Sequence, residues 1–469
     1  MTTRDLLVRG GRVLQGDTLI EADVLVQDGL ITAIGEVEAP DGVAVEDAAG
    51  LLVLPGIIDP HVHFGWPGAA DDFGAGSRAA VAGGVTTFIE FAVQFPGERL
   101  DEAVEAWKRM GEQSVCDFAL HAIVSDARPE TLEAMGRVVD GGVTSFKMFM
   151  TSQHSGGLGV DDGTLYAIMQ RVAELGGLSM AHCENDEVIG HLAGRLIESG
   201  VVTAEGHSAA RPPLVEAEAI ARAVRLADAA GSDFYIPHLS SGDGLQAALV
   251  DTGREVAVIA ETCPQFLALT ADVYARPDGA HYVMSPPIKA AEDQAELWEG
   301  LVDGRVSTVG SDHCPYPRAL KDENARSDFR RIPNGVPGVE TLLPVLYTLG
   351  VRSGRFGLGD LARIASLNPA RIFGLDDRKG SIAVGKHGDL VLFDPGRRFG
   401  TAPSALNSRI DYSIYEDVDL WGMPVATVAR GRVVAREQRV VDDGHRGEFL
   451  ARTPGVDLAP FDRRTVVAG

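Results

Sequence analysis

The chain has 469 residues, 45% of them hydrophobic and 23% charged, a composition that can bury a large core. This length predicts one large domain with a smaller one attached. The formal net charge of −25 would repel nucleic acids and anionic membrane surfaces, so we expect neither as a partner. No signal-peptide pattern and no apolar run of membrane-spanning length occurs, and we expect a cytoplasmic protein.

Both ends of the sequence have the pattern of antiparallel β-sheet. Residues 1–55 contain short strand-like segments separated by glycine and aspartate turns, and the same pattern returns in residues 376–440. The simplest arrangement combines the two parts into one small β-sandwich domain. Residues 441–469 are predicted to form a C-terminal tail that covers a neighbouring surface.

Residues 56–375 alternate between strand-like and helix-like segments. Helical patterns occur, for example, at 101–114, 162–175, 215–230 and 291–302. The eight candidate strands are 57–64, 86–92, 118–124, 145–150, 179–184, 234–241, 256–262 and 307–312. Eight such units predict an α/β fold of the (β/α)8 TIM-barrel type. A doubly wound open sheet is the alternative, but no Gly-x-Gly-x-x-Gly motif follows an early strand.

The four cysteines are scattered and form no Cys-x-x-Cys pair. They are Cys116, Cys183, Cys263 and Cys314. This number is too small for a disulfide scaffold in a chain of this size, so we expect reduced, buried thiols.

The first candidate barrel strand ends in His61-Val62-His63. Side chains alternate along a strand, so both imidazoles lie on the same side, at a spacing typical of metal ligands. Taken alone, the pair is equally compatible with two structural histidines, and further ligands are needed to decide.

Four more polar residues come at the ends of later candidate strands: Lys147, His182, His238 and Asp312. The carboxyl ends of barrel strands hold the active site, so six residues converge on one functional face. Imidazoles with a carboxylate suit Zn²⁺, Mn²⁺ or Fe²⁺ better than Mg²⁺ or Ca²⁺. Five ligands exceed one tetrahedral site, which favours two metals. A cationic lysine would be repelled there, so Lys147 has to be neutral or converted to an anion.

Motifs along nearly the whole chain carry a resemblance to a known family. The metal-ligand motifs are His61-Val62-His63, Ser145-Phe146-Lys147, Ala181-His182-Cys183-Glu184-Asn185, Pro237-His238-Leu239-Ser240-Ser241 and Ser311-Asp312-His313-Cys314-Pro315. The remaining motifs are Arg211-Pro212-Pro213, Glu261-Thr262-Cys263-Pro264-Gln265, Ser285-Pro286-Pro287, Ile332-Pro333-Asn334-Gly335, Asn368-Pro369-Ala370 and Gly385-Lys386-His387-Gly388-Asp389-Leu390. With them the chain resembles the cyclic amidohydrolases, most closely the dihydropyrimidinase and hydantoinase group.

The resemblance implies a hydrolase that opens a hydantoin, a dihydropyrimidine or a related ureide or imide ring by attack of a metal-bridging hydroxide. Lys147 would be N6-carboxylated and bridge two metals, most often zinc. One metal would be held by His61, His63, Lys147 and Asp312, and the other by Lys147, His182 and His238. Asp312 would also transfer the proton, Ser285 and Asn334 would bind the ring, and the enzyme would be a homotetramer or dimer.

The chain departs from the family pattern at two places beside the site. The family has an oxyanion-stabilising tyrosine five residues after the bridging lysine, and this position is Ser152 here. Because such a donor is worth about 10²–10³ in rate, a substitute is needed, and we predict His154 first and Ser152 second. The stretch Phe64-Gly65-Trp66-Pro67 stands where the family usually has a shorter aliphatic residue before Met-Pro, and Trp66 is predicted to line the pocket for the exocyclic group.

Two alternatives to a hydantoinase or dihydropyrimidinase activity remain at this point. One is an allantoinase-like or cyclic-imide hydrolase, because the departures concern substrate-contacting segments. The other is a non-catalytic scaffold, since some animal relatives have lost the metal ligands. Retention of all six ligand positions argues against the scaffold.

Overall fold

The computed structural model describes residues 5–151, 157–250, 256–441 and 444–462. The chain begins with strands joined by tight turns. These strands are β1 (Leu6–Gln15), β2 (Thr18–Gln27), β3 (Leu30–Gly35), β4 (Ala44–Asp47) and β5 (Leu52–Pro55).

A barrel region follows, in which strands and helices alternate. Its strands are β6 (Ile57–Val62), β7 (Val85–Val93), β8 (Asp117–Ile123), β9 (Ser145–Phe149), β10 (Leu178–His182), β11 (Phe234–Ile236), β12 (Val258–Thr262) and β13 (Thr308–Val309). Its helices are α1 (Phe73–Ala82), α2 (Leu100–Gly111), α3 (Pro129–Asp140), α4 (Asp162–Glu174), α5 (Asp186–Glu198), α6 (Ala204–Ala209), α7 (Pro213–Ala230), α8 (Gly242–Ala248), α9 (Pro264–Ala268), α10 (Ala291–Val302), α11 (Arg318–Ala325), α12 (Leu342–Leu346), α13 (Leu358–Ala362) and α14 (Asn368–Ile372).

The chain then returns to the first sheet. The returning strands are β14 (Leu390–Arg398), β15 (Trp421–Ala429), β16 (Arg432–Arg436) and β17 (Arg439–Val440). Short 3-10 helices lie at Ala271–Ala275, Gly279–Tyr282, Phe329–Arg331, Val339–Thr341, Pro403–Ala405 and Ala459–Phe461, and π-helical turns at Tyr347–Arg352 and Arg363–Leu367. Within the described ranges no helix is both long and apolar enough to cross a lipid bilayer.

Strands from both chain ends share one sheet with its own apolar core. Its order is β17-β16-β15-β14-β5-β1-β2-β3, with β4 paired to β1. The antiparallel pairing of β5 with β14 joins the N-terminal and C-terminal parts, and residues such as Val24, Val53 and Leu392 are buried between them. The prediction that both ends build one β unit is confirmed.

The second sheet is parallel and has the order β13-β12-β11-β10-β9-β8-β7-β6. Strands β6 and β7 are buried along their whole length, as expected of parallel strands covered on both faces. Main-chain hydrogen bonds bring the last strand back to the first: Asp312 N donates to His61 O at 2.8 Å, and His63 N donates to His313 O at 2.9 Å. The predicted TIM barrel with an attached β domain is confirmed.

Two barrel strands are shorter than the sequence pattern predicts. The predicted strand 234–241 ends at Ile236, and the predicted strand 307–312 ends at Val309. His238 and Asp312 therefore lie in the loops beyond these strands, where both adopt left-handed backbone conformations with φ of 42° and 51°. The local backbone conformation, and not strand alternation, therefore sets the direction in which the His238 and Asp312 side chains point.

The C-terminal segment 444–462 packs against the amino-terminal ends of the barrel strands. Phe118 N donates to Glu448 O at 3.1 Å, and Leu450 N donates to Phe118 O at 2.7 Å. The buried guanidinium of Arg452 donates to Leu120 O and, at 3.0 Å, to Ser145 Oγ. This part of the predicted tail covers the face of the barrel opposite the predicted site.

A buried ionic cluster joins the barrel, the β unit and the C-terminal segment. Asp117 Oδ2 accepts hydrogen bonds from Lys379 Nζ at 2.6 Å and from Arg430 Nε at 2.8 Å. Lys379 also pairs with Asp389, and Glu448 N donates to Asp117 Oδ1 at 2.9 Å. Asp117 on β8 thus binds groups from three separate parts of the chain.

Candidate active site

The six predicted ligand residues lie together at the carboxyl ends of the barrel strands. His61 is on β6, Lys147 on β9 and His182 at the end of β10. His63, His238 and Asp312 follow the ends of β6, β11 and β13. All six have little solvent exposure, so their polar atoms face one another inside the barrel opening.

The first group of candidate ligand atoms comprises His61, His63 and Asp312. Asp312 Oδ1 lies 3.3 Å from His61 Nε2 and 3.2 Å from His63 Nε2. One ligand atom from each residue lies within 4.8 Å of the others, which is the arrangement needed to hold one metal ion.

The second group comprises Lys147, His182 and His238. His238 Nε2 lies 3.5 Å from Lys147 Nζ and 3.2 Å from His182 Nδ1. The ring centres of His61 and His238 are 5.3 Å apart, so the two groups are neighbours. The resemblance places Lys147 in both ligand sets, and here its amine lies 3.5 Å from His238 of the second group.

Two glutamates orient the histidines. His61 Nδ1 donates to Glu261 Oε1 at 2.7 Å, and the same oxygen accepts from His238 N at 3.0 Å. His182 Nε2 donates to Glu184 Oε2 at 2.9 Å. A carboxylate on one ring nitrogen fixes the tautomer and leaves the other nitrogen unprotonated toward a metal.

Close packing at Gly310 helps to bring these groups together. A Cβ atom at this position would lie 2.7 Å from both His61 Cβ and Glu261 Oε2. Only glycine therefore lets the chain after β13 approach His61 and Glu261 closely enough to position Asp312.

Removing the Glu261 carboxylate is expected to weaken metal binding. We predict that Glu261→Ala lowers metal affinity by about 10-fold to 100-fold because His61 loses its orientation, with Glu261→Gln intermediate. Competition with a chelator measures this affinity. Glu340→Ala is the matched control, because Glu340 is also a buried glutamate but binds Asn407 away from the site. Equal metal affinity in Glu261→Ala and the parent would contradict the orienting role.

The donor set fits divalent metals. His61 Nε2 and His63 Nδ1 are buried and lack a hydrogen-bond partner among the described residues. Burial lowers the pKa of both imidazoles, which favours the neutral form that binds metal. Burial opposes ionisation of Asp312, but His61 and His63 outweigh it and hold the pKa of this carboxyl below its usual value. Neutral imidazoles beside an anionic carboxylate suit a metal cation.

Lys147, in the second group, lies in an environment that disfavours its charged form. It is 1% exposed, and burial lowers its pKa to about 8. Among the described residues no carboxylate oxygen lies within 4.0 Å of its Nζ, which also lies over the rings of Phe91 and Phe149. A neutral amine is the form of lysine that reacts with carbon dioxide.

A cavity of about 350 Å³, within the range for small-molecule sites, is lined by all the candidate ligands except His61. Its apolar lining residues are Trp66, Phe149, Met284, Tyr316 and Ile332. Ser285 and Asn334 line the same cavity, and Ser285 Oγ donates to Asn334 Oδ1 at 3.2 Å. The structure thus brings three predicted substrate-contacting residues, Trp66, Ser285 and Asn334, to the predicted ligands.

Two predicted catalytic residues, Ser152 and His154, lie outside the described residues. Their assignment as oxyanion donors stays a prediction. Sequence reasoning also gave no role to Glu261 or Glu184, although both stand in the motifs. The signal that could have identified Glu261 is an acidic residue at the end of an apolar, strand-like segment, Val258-Ile259-Ala260-Glu261.

The sequence profile of the Amidohydrolase family matches residues 52–434, which include all six candidate ligands. The chain belongs to the amidohydrolase family. It is 39% identical to D-hydantoinase from Streptomyces coelicolor, with 95% of this chain and 97% of that protein aligned. It is 37% identical to D-hydantoinase from Geobacillus stearothermophilus, with 95% and 96% aligned.

A solved amidohydrolase structure gives the same result. Dihydropyrimidinase from Brevibacillus agri superimposes with a TM-score of 0.92 at 35% identity, covering 96% of this chain and 99% of that one. The predicted placement in the hydantoinase and dihydropyrimidinase group of amidohydrolases is confirmed.

Proposed function

We propose that the protein is a binuclear metal-dependent hydrolase that opens a hydantoin, a dihydropyrimidine or a related cyclic amide ring. The single observation that carries the proposal is the convergence of six ligand residues in two neighbouring groups beneath a cavity of about 350 Å³. Relatives named D-hydantoinase and dihydropyrimidinase, aligned over almost the whole chain, support this reaction class.

The residues would hold two divalent ions. We assign His61, His63, Lys147 and Asp312 to one ion and Lys147, His182 and His238 to the other, with Lys147 N6-carboxylated. When bound, the ions would supply Lewis acidity, which polarises a carbonyl and makes water acidic enough to act as a nucleophile near neutral pH. We propose zinc as the natural metal, and manganese or iron as the alternatives that metal analysis would identify.

Asp312 is assigned the proton transfer. Its Oδ1 lies beside both histidines of the first group, and its pKa is held below the usual value, so the carboxylate is ionised and able to accept a proton. It would take a proton from the attacking water and deliver it to the ring nitrogen as the amide bond breaks. Ring nitrogen, carbonyl carbon and water all have to reach the cavity that Asp312 lines.

Ser285 and Asn334 are assigned to ring binding. Cyclic ureides and imides present alternating carbonyl acceptors and N–H donors, which pair with amide and main-chain groups. Trp66 is assigned to the exocyclic substituent, because its ring lies 5.3 Å from that of His63 on the cavity wall. His154, or else Ser152, is proposed to stabilise the oxyanion. We also propose a homotetramer or dimer, which light scattering after size-exclusion chromatography would establish.

A ring-opening screen tests the proposed function. The protein, prepared with bicarbonate and each of zinc, manganese and iron, is assayed on hydantoin, dihydrouracil, allantoin, succinimide and phthalimide by loss of ring absorbance. We expect turnover of at least one ring and two metal ions per chain. Fewer than one metal per chain and no turnover of any ring would contradict the proposal and favour a scaffold.

A further inference from the structure

The cavity rim carries two neighbouring arginines in a protein whose net charge is −25. Arg330 and Arg331 both line the cavity that contains Lys147 and the histidines. Among the described lining residues Asp312 is the only carboxylate, and it belongs to the first ligand group. The rim is therefore locally cationic although the protein as a whole is strongly acidic.

The segment that presents these arginines is firmly held. It is the 3-10 helix Phe329–Arg331, whose start is capped by Asp328, which accepts from Arg330 N at 2.9 Å. Phe329 is buried against Gly206, where an added Cβ would lie 2.4 Å from its ring. The position of Arg331 relative to Asn334, three residues further, is thus set by packing.

The two guanidinium groups differ in their partners. Arg330 forms a two-point ion pair with Asp328, with Nε–Oδ1 and Nη2–Oδ2 distances of 2.9 and 3.0 Å. Arg331 is exposed, and its guanidinium makes no hydrogen bond or ion pair with any residue that the structure describes. Its donors remain available to a bound molecule.

We propose that Arg331 recognises a carboxylate on the exocyclic substituent of the substrate. The preferred substrate is then a cyclic ureide or imide with an acidic side chain, an inference that rests on the proposed ring-opening function. The planar guanidinium matches a carboxylate with two parallel hydrogen bonds. Phe149 and Ile332 on the cavity wall offer apolar contact to the carbon atoms that join ring and carboxylate. The acidic protein would otherwise repel an anionic substrate.

A matched pair of substrates tests this inference. One is a hydantoin with a propionate group on the ring carbon, and the other is the corresponding propionamide, which has nearly the same shape but no charge. We expect the protein to prefer the acid, and Arg331→Gln to lower the acid-to-amide ratio of kcat/KM by about tenfold, mainly through KM. Arg331→Lys should be intermediate, because it keeps the charge and loses the two-point geometry. Added salt should reduce the preference.

Arg326→Gln is the control, because it removes the same charge from an exposed position outside the cavity. It should preserve the acid-to-amide ratio of the parent. An unchanged ratio in Arg331→Gln, or an equal loss on both substrates, would overturn the inference while leaving ring opening established. Turnover of neither substrate by the parent protein, together with a failed ring screen, would instead overturn the proposed function. If Arg331→Gln does not fold, the ratio in Arg331→Lys decides.

Discussion

Replacing Lys147 by arginine is expected to lower kcat/KM by at least about 10³-fold and to reduce bound metal below two ions per chain. Arginine stays protonated at any relevant pH and cannot form a carbamate, so it would place a fixed positive charge between the two ligand groups. Lys147 is 1% exposed, and this charge would have no water to stabilise it. Metal analysis and steady-state kinetics with the best ring from the screen measure both effects.

A second variant separates loss of the proposed carbamate at Lys147 from loss of the fold. Lys147→Ala leaves a space that a short carboxylic acid can enter, so added acetate or propionate should restore part of the metal content and part of the turnover. Circular dichroism should show the parent secondary structure in both variants. Full metal content and turnover in Lys147→Arg would exclude a bridging role for this residue.

Replacing Asp117 by asparagine is expected to have the largest effect on stability. Asp117 is buried and pairs with Lys379 and Arg430, so the variant leaves two buried cations with less compensating charge. Breaking a buried ion pair from one side costs about 3–5 kcal/mol of unfolding free energy. The midpoint of urea unfolding measures the change. Glu133→Gln is the control, because it alters an exposed carboxylate and should leave the midpoint in place.

The same residue gives a pH dependence with a definite sign. Burial opposes ionisation of Asp117, but Lys379 and Arg430 outweigh it and hold its pKa below the usual value. The unfolded chain then binds a proton more readily, so this carboxylate stabilises the fold fully above about pH 5 and loses its effect as the solution becomes more acidic. The difference in stability between the parent and Asp117→Asn should be constant from neutral pH to about pH 5 and shrink below it. A difference that grows in acid would contradict the assignment.

Local sequence patterns predicted most of the barrel strands and helices, because each βα unit has its own hydrophobic pattern. The apolar run of β7 and the helical spacing of α10 depend only on neighbouring residues, and both elements lie where their patterns predict. The alternation rule correctly brought His61 and His63 together. It did not describe His238 and Asp312, because both residues have a left-handed backbone conformation, which His63 just beyond β6 does not have.

The orienting glutamates show why part of the site could not be predicted from the sequence. Glu261 contacts His61 although the two residues are 200 positions apart in the sequence, and no local pattern near either residue predicts that contact. Nor does the sequence Asp328-Phe329-Arg330-Arg331 show that Asp328 binds Arg330 and that the Arg331 guanidinium has no partner among the residues the structure describes.

By itself the sequence determined the type of fold and the group of amidohydrolases and indicated six candidate ligand positions, because periodicity and motif order are properties of short segments. Tertiary structure alone decided how close these candidate ligands come to one another, which carboxylates orient them and which arginine at the cavity rim has no partner among the described residues. These features depend on distances between segments far apart in the chain, and such distances exist only after the strands have closed into a barrel.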